Sequence, residues 1–124
     1  MKIELRSIIG AGNLSIERVT LRIVADLDIG DYMLAQSFMF DEQPSTNLQN
    51  CFWFPFKEVS KGDLIVLYSK EGTQREKPLS TGANAHFFYL DLKQPIWDDS
   101  DMGAVIIETP DWVSKPSQDL LKRT

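Results

Sequence analysis

The chain has 124 residues, a formal net charge of −5, 43% hydrophobic residues and 25% charged residues. This length is enough for one domain with a single core, and the composition excludes a disordered chain. The acidic balance argues against a protein that grips nucleic-acid phosphates across a broad face, and no apolar run approaches the roughly 20 residues that span a bilayer.

The N-terminal residues alternate between charged and apolar side chains instead of forming the apolar core of a signal peptide. We therefore expect a cytoplasmic protein that does not bind a membrane. Period-two alternation predicts strands in this first part of the chain, at residues 2–9, 17–25 and 32–40. In the second of these, Val19, Leu21 and Ile23 share one face, and the strand ends in an acidic turn at residues 26–31.

The middle of the chain is predicted to be a loop followed by a hairpin. Residues 41–50 are polar and contain Pro44, which favours a loop. Residues 51–68 hold an aromatic strand and the aliphatic strand Leu64–Tyr68, joined by a polar turn, so we expect these two strands to pair. Cys51 is the one cysteine, which excludes an internal disulfide, and free cysteines are commonly buried.

The last third begins with the longest polar segment, residues 70–85, which we predict to be a loop. Strands follow at residues 86–92 and 103–109, separated by Trp97 and an acidic turn. We expect Trp97 to close one end of the core, because tryptophan combines a large apolar ring with one donor. The domain is predicted to cover residues 1–113, and residues 114–124 form a polar tail with one helical turn at 117–121.

About seven short strands with turn residues between them are typical of a β-sandwich or a barrel. Three groups of these residues also occur in a recognisable order. Residues 17–21 (ERVTL) and 26–34 (DLDIGDYML) are followed by 52–55 (FWFP) with 61–67 (KGDLIVL), and then by 96–107 (IWDDSDMGAVII). This series resembles the lamin-tail domain, whose motifs are E-x-V-x-L, D-L-x-G-W-x-L, F-x-F-P with G-D-x-I-x-L, and W-N-N-x-G-D-x-V-x-L.

The resemblance implies an all-β fold, a single antiparallel immunoglobulin-like β-sandwich, and a general role in binding other macromolecules. It implies no catalytic residue. The chain departs from the family pattern at Tyr32, which follows an inserted Asp31, and at Asp98 and Asp99, which stand where the family has asparagines. It contains no coiled-coil rod, so filament assembly of the lamin kind is not implied.

Two features are candidate sites of chemistry. Asp98, Asp99 and Asp101 are hard oxygen donors on one loop, which makes them candidates for calcium. Their spacing does not fit the twelve-residue calcium loop, so a solvated turn is the preferred interpretation and no cofactor is expected. His86 is the single histidine, and nothing in the sequence places it beside Cys51. With no catalytic constellation we expect no enzyme and no small-molecule substrate.

The aromatic strands indicate where a partner would bind. Neighbouring side chains on a strand point to opposite faces, so Trp53 and Phe88 cannot both face inward together with their aromatic neighbours. Either they are exposed or the long loops bury them. The predicted partner-binding residues are Trp53, Phe88, Trp112 and Arg75, the last within the segment 70–85.

The leading functional hypothesis is a non-enzymatic protein-interaction module that binds a macromolecular partner or assembles with itself through strand and loop surfaces. The alternative is an acidic inhibitor or immunity protein that blocks a basic, nucleic-acid-handling enzyme. A calcium-stabilised binding domain ranks third and a small hydrolase last. None of these hypotheses includes direct binding of nucleic acid.

Overall fold

The computed structural model describes residues 1–122, and strands dominate them. The strands are β1 (Ile3–Ile9), β2 (Arg18–Ile23), β3 (Leu27–Asp28), β4 (Tyr32–Phe40), β5 (Gln43–Pro44), β6 (Gln49–Trp53), β7 (Glu58–Val59), β8 (Leu64–Tyr68), β9 (Arg75–Pro78), β10 (Asn84–Tyr89) and β11 (Met102–Glu108). A 3-10 turn covers Ile29–Asp31, and a single-turn helix α1 covers Ser117–Leu120.

Two larger sheets enclose the core. The first has five strands in the order β1-β2-β8-β10-β9, and the second holds β11, β4 and β6 with β5 at one end of β4. Large side chains from both sheets meet between them, because alternate residues of a strand point to the same side of its sheet. The core includes Leu21, Ile65 and Phe88 from the first sheet and Tyr32 and Leu34 from the second. The all-β prediction is therefore confirmed.

One pairing departs from the antiparallel sandwich that the sequence predicts. Strands β8 and β10 run parallel, with Leu67 opposite Phe88, whereas β1–β2, β2–β8, β9–β10 and the pairings of β4 are antiparallel. A parallel neighbour needs a crossover of about a dozen residues or more. The chain between Tyr68 and Asn84 meets that requirement and also forms β9, so the predicted loop at 70–85 contains an exposed edge strand.

The predicted hairpin at residues 51–68 is wrong. Strand β6 pairs with β4 in the second sheet, and β8 lies between β2 and β10 in the first. The intervening residues 54–63 include Pro55 and β7, which pairs with β3, so the chain crosses between the sheets instead of turning back. Cys51 is exposed rather than buried, because it occupies an outward position on β6.

Two other predictions about the core and the C-terminus have clear outcomes. Trp97 is buried among the core residues, as expected. The helical turn predicted at 117–121 is present as α1, and residues 110–122 are exposed throughout. The last two residues of the predicted tail, 123 and 124, lie outside the described residues. Among residues 1–122, none of the helices combines the length and apolarity that a bilayer crossing requires.

Candidate functional site

Two exposed tryptophans meet on the outside of the second sheet. Trp53 ends β6, and its indole Nε1 donates to the carbonyl oxygen of Gly30 at 3.0 Å. Trp112 packs edge-on against it, with ring centroids 4.6 Å apart and an interplanar angle of 78°. Trp53 is 43% exposed and Trp112 52% exposed. The structure thus brings together two of the four predicted partner-binding residues.

A phenylalanine and a glycine complete this surface. A Cβ placed on Gly30 would lie 2.7 Å from the Cα of Phe56, so only glycine lets the two backbones approach this closely. Asp28 fixes the same junction, because its Oδ1 accepts from the N–H groups of Gly30 and Lys57, both at 2.8 Å. In this arrangement Phe56 lies next to Trp53 and is 68% exposed.

We call this region the tryptophan surface, and its lining residues are Gly30, Trp53, Phe54, Pro55, Phe56 and Trp112. They enclose a shallow cleft of about 240 Å³. None of the six side chains is ionisable, so the cleft offers flat apolar area and no acid, base or nucleophile. Such a cleft suits an apolar or aromatic side chain of a protein partner.

Phe88 was predicted to contact a partner, and that prediction is wrong. Its side chain is 1% exposed and lies in the core, edge-on to Phe54 with ring centroids 5.1 Å apart. Its neighbour Phe87 points to the other side of the sheet instead. The sequence could not decide between the two, because both are phenylalanines and period-two alternation is equally satisfied with either one inside.

Arg75 is exposed, as predicted, but it does not belong to the tryptophan surface. It lies on β9 at the edge of the first sheet, opposite Phe87 in the register. Its guanidinium carbon is 4.2 Å from the centroid of the Phe87 ring. Arg75 therefore belongs to the first sheet, whereas Trp53, on which Trp112 packs, belongs to the second, so Arg75 lies on a different surface.

The acidic turn does not assemble a metal centre. Asp98, Asp99 and Asp101 are exposed, and the backbone N–H of Asp101 donates to Oδ1 of Asp99 at 2.9 Å, as in a solvated turn. Within residues 1–122, no three His, Cys, Asp or Glu side chains are grouped in a way that could hold a metal ion. The geometry gives the calcium hypothesis no support.

Sequence reasoning missed a buried carboxylate that ties distant segments together. Glu17 is fully buried at the start of β2. Its Oε1 accepts from the N–H groups of Gly12 at 3.0 Å and Trp97 at 3.0 Å, and its Oε2 accepts from the N–H of Ile96 at 2.9 Å and from the hydroxyl of Ser69. Burial alone would raise the pKa of Glu17, but these four hydrogen bonds outweigh it and hold the pKa below its ordinary value of 4.5.

A second buried pair, Asp63 and His86, was also missed. Oδ2 of Asp63 lies 2.9 Å from Nε2 of His86 and accepts from the N–H of Ser60 at 3.1 Å, while Oδ1 accepts from the N–H of Asn84 at 3.0 Å. Burial opposes ionisation of Asp63, but the hydrogen bonds from Asn84, His86 and Ser60 lower its pKa below the ordinary 3.8. Both side chains are nearly inaccessible, and the pair links the residue before β8 to β10.

These two carboxylates predict acid sensitivity. Each has a lower pKa in the folded chain than in the unfolded chain, so the unfolded chain binds more protons in acid. We expect the stabilisation to be complete above about pH 4.5 and to be lost as the pH falls through the folded pKa values. Urea unfolding at a series of pH values measures this, and Glu17→Gln should flatten the decline. Equal pH dependence in both proteins would contradict the assignment.

A scan against protein-family models finds no match for the chain. No curated protein matches its sequence significantly.

Proposed function

We propose that this protein is a non-enzymatic interaction module that binds a protein partner on the tryptophan surface. The supporting observation is the pairing of Trp53 with Trp112 in an exposed apolar cleft. Exposed aromatic clusters of this kind mark interaction sites, and tryptophan is among the residues that contribute most to binding energy. The adjacent exposed side chains of Phe56 and Val113 extend the apolar area.

The partner we propose is a different protein rather than a second copy. Each copy carries a net charge of −5, so two copies repel each other as they approach. The cleft itself contains no charged side chain that could offset this repulsion. A partner with an apolar or aromatic side chain for the cleft, surrounded by neutral or basic residues, fits both observations.

The fold proposed for this module is an immunoglobulin-like sandwich of the lamin-tail kind. Its support is the position of the family-like segments. Residues 17–21 lead into β2, residues 26–34 form β3, the 3-10 turn and the start of β4, and Trp97 closes the core ahead of β11. The parallel pairing of β8 with β10 departs from the all-antiparallel pairing that the resemblance implies.

Site-specific cross-linking tests the proposed function. We expect a photoreactive phenylalanine analogue at position 112 to capture a discrete protein, and the same analogue at position 40 to capture none. Phe40 is the matched control, since it is an exposed aromatic residue outside the tryptophan surface. An adduct between two copies of the chain would instead show self-association.

The captured protein must then bind the purified chain. Trp112→Ala is expected to weaken that binding by about 2 kcal/mol or more, as for a central aromatic contact, and Phe40→Ala to leave it unchanged. Because Trp112 lies outside the core, its loss should leave the unfolding curve nearly unchanged. A partner that binds the wild type and Trp112→Ala equally would overturn the proposal.

The acidic-inhibitor hypothesis remains as a second candidate. The observation that favours it is the exposure of Asp98, Asp99 and Asp101 on one turn. In that case the cross-linker at position 99 would capture a basic protein and the one at position 112 would not. Added salt would also weaken that complex strongly, because exposed charge pairs are screened.

A further inference from the structure

The outer face of the five-stranded sheet carries a row of aromatic rings. Tyr68 of β8 and Tyr89 of β10 stand side by side in the register, with ring centroids 5.4 Å apart and an interplanar angle of 10°. Phe87 follows at 6.4 Å from Tyr68 with an angle of 24°. All three side chains are half-buried, and they lie on the side of the sheet that faces away from the core.

Positively charged side chains lie against these rings. The guanidinium carbon of Arg18 is 5.7 Å from the centroid of Tyr68, and Lys70 Nζ is 4.9 Å from the same ring. Arg75 lies 4.2 Å from the centroid of Phe87. Cations at these distances are attracted by the ring faces, so the long side chains are held in place rather than free to move away.

The positive charge continues along the same face. Arg22 lies four residues from Arg18 on β2, and Lys77 lies two residues from Arg75 on β9, so each pair projects from one side of the sheet. Arg22 also borders an open cleft of about 640 Å³ together with Arg6 and Lys61. Two acids lie nearby: Glu4 is opposite Arg22 in the register, and Asp63, which also lines the cleft, is paired with His86.

We propose that this outer face binds single-stranded nucleic acid. A row of cations suits a phosphate backbone, and flat rings interleaved with guanidinium groups suit bases, which stack on aromatic side chains and on arginine planes alike. Arg75 is exposed and lies close to the Phe87 ring, so a base can stack on the outer side of its guanidinium. An acidic partner would need only the cations, whereas the flat rings add stacking planes of the kind that bases use.

The fold explains why a chain whose composition argues against nucleic-acid binding can still have a basic face. Overall the chain has 18 acidic and 13 basic residues, which predicts poor binding to phosphates. Strand alternation nevertheless places Arg18 and Arg22 on one side of β2, and the crossover after β8 brings Arg75 and Lys77 to the same sheet. The charges are therefore segregated in space although they are scattered in sequence.

Fluorescence anisotropy with a labelled oligothymidine of about twelve nucleotides tests the proposal. We expect the full chain to bind, and Arg75→Glu to weaken binding by about tenfold, since it removes both a charge and a stacking plane. Lys115→Glu is the matched control, because it changes the net charge equally at an exposed position of the C-terminal tail. It should change the affinity by less than about twofold.

A variant that lacks one aromatic ring distinguishes nucleic acid from an acidic protein as the ligand of this face. Tyr89→Leu keeps an apolar side chain but removes the plane, and we expect at least about fivefold weaker binding of the oligonucleotide. Circular dichroism and the urea midpoint verify that each variant is folded. No binding by the wild type would overturn the proposal. So would an unchanged affinity in Tyr89→Leu together with displacement of the oligonucleotide by polyglutamate, which would indicate an acidic protein.

This surface and the tryptophan surface belong to different sheets, so the two proposals fail independently. Trp112→Ala should bind the oligonucleotide as tightly as the wild type. Arg75→Glu should bind the protein captured at position 112 as tightly as the wild type. A single variant that abolished both activities would indicate loss of the fold.

Discussion

Replacing Glu17 with glutamine is expected to lower the free energy of unfolding by about 3 kcal/mol. The carboxylate presents an acceptor to two donors on each side, from Gly12 and Trp97 on one and from Ser69 and Ile96 on the other. Glutamine has one carbonyl oxygen and one NH₂ group. Whichever way it is turned, an amide donor faces a backbone N–H in a buried place, and at least one donor loses its acceptor.

Urea unfolding of the two proteins at pH 7 measures this loss. Glu58→Gln is the matched control, because the same substitution at an exposed strand residue should change stability by less than about 0.5 kcal/mol. The comparison isolates the buried hydrogen bonds, since both variants lose one negative charge. A Glu17→Gln protein as stable as Glu58→Gln would show that Glu17 does not join these segments.

The second large effect is expected at Phe88. Phe88→Ala should reduce stability by about 3–5 kcal/mol, because it leaves a cavity beside Phe52 and Phe54 and removes contacts between the sheets. The ring is almost fully buried, so the surrounding backbone can collapse only partly around the space.

Thermal and urea unfolding measure this loss, and Phe40→Ala, which removes an exposed ring, is the control with little expected change. The contrast with Trp112→Ala is informative in the same experiment. Trp112→Ala should lose binding without losing stability, whereas Phe88→Ala should lose stability. A Phe88→Ala protein as stable as the wild type would contradict the burial of this residue in the core.

The strands themselves were predictable because local alternation determines them. The predicted strand at 32–40 is β4, and the strands predicted at 17–25 and 103–109 appear as β2 and β11 with small shifts at their ends. Burial of Trp97 followed from its size and its position before a turn. For Trp53 the sequence left exposure and burial by loops open, and the structure decides for exposure because Phe52 and Phe54 occupy the inner positions.

The contacts between residues far apart in the chain could not be predicted from the sequence. Glu17 is bound by residues that lie 52, 79 and 80 positions away, and Asp63 is 23 positions from His86. No local pattern marks such partners, so Glu17 resembled an ordinary strand-edge glutamate. The pairing of β6 with β4 instead of β8 could not be predicted for the same reason. Aromatic and aliphatic runs predict that a strand forms but not which strand it pairs with.

The arrangement separates stability from recognition. Glu17, Asp63 and His86 are buried and hold segments together, while the tryptophan surface lies outside the second sheet and the proposed nucleic-acid-binding face is the outer face of the five-stranded sheet. Substitutions of the buried polar residues should therefore act through unfolding. Substitutions on the exposed faces should change binding alone.

Iodide quenching of tryptophan fluorescence tests the proposed recognition most directly. In the free chain iodide should reach Trp53 and Trp112 but not the buried Trp97. On addition of the protein captured at position 112, we expect quenching to fall to the level of a variant that retains only Trp97. Binding of that protein with no change in quenching would contradict the proposal, because the two exposed indoles would then lie outside the interface.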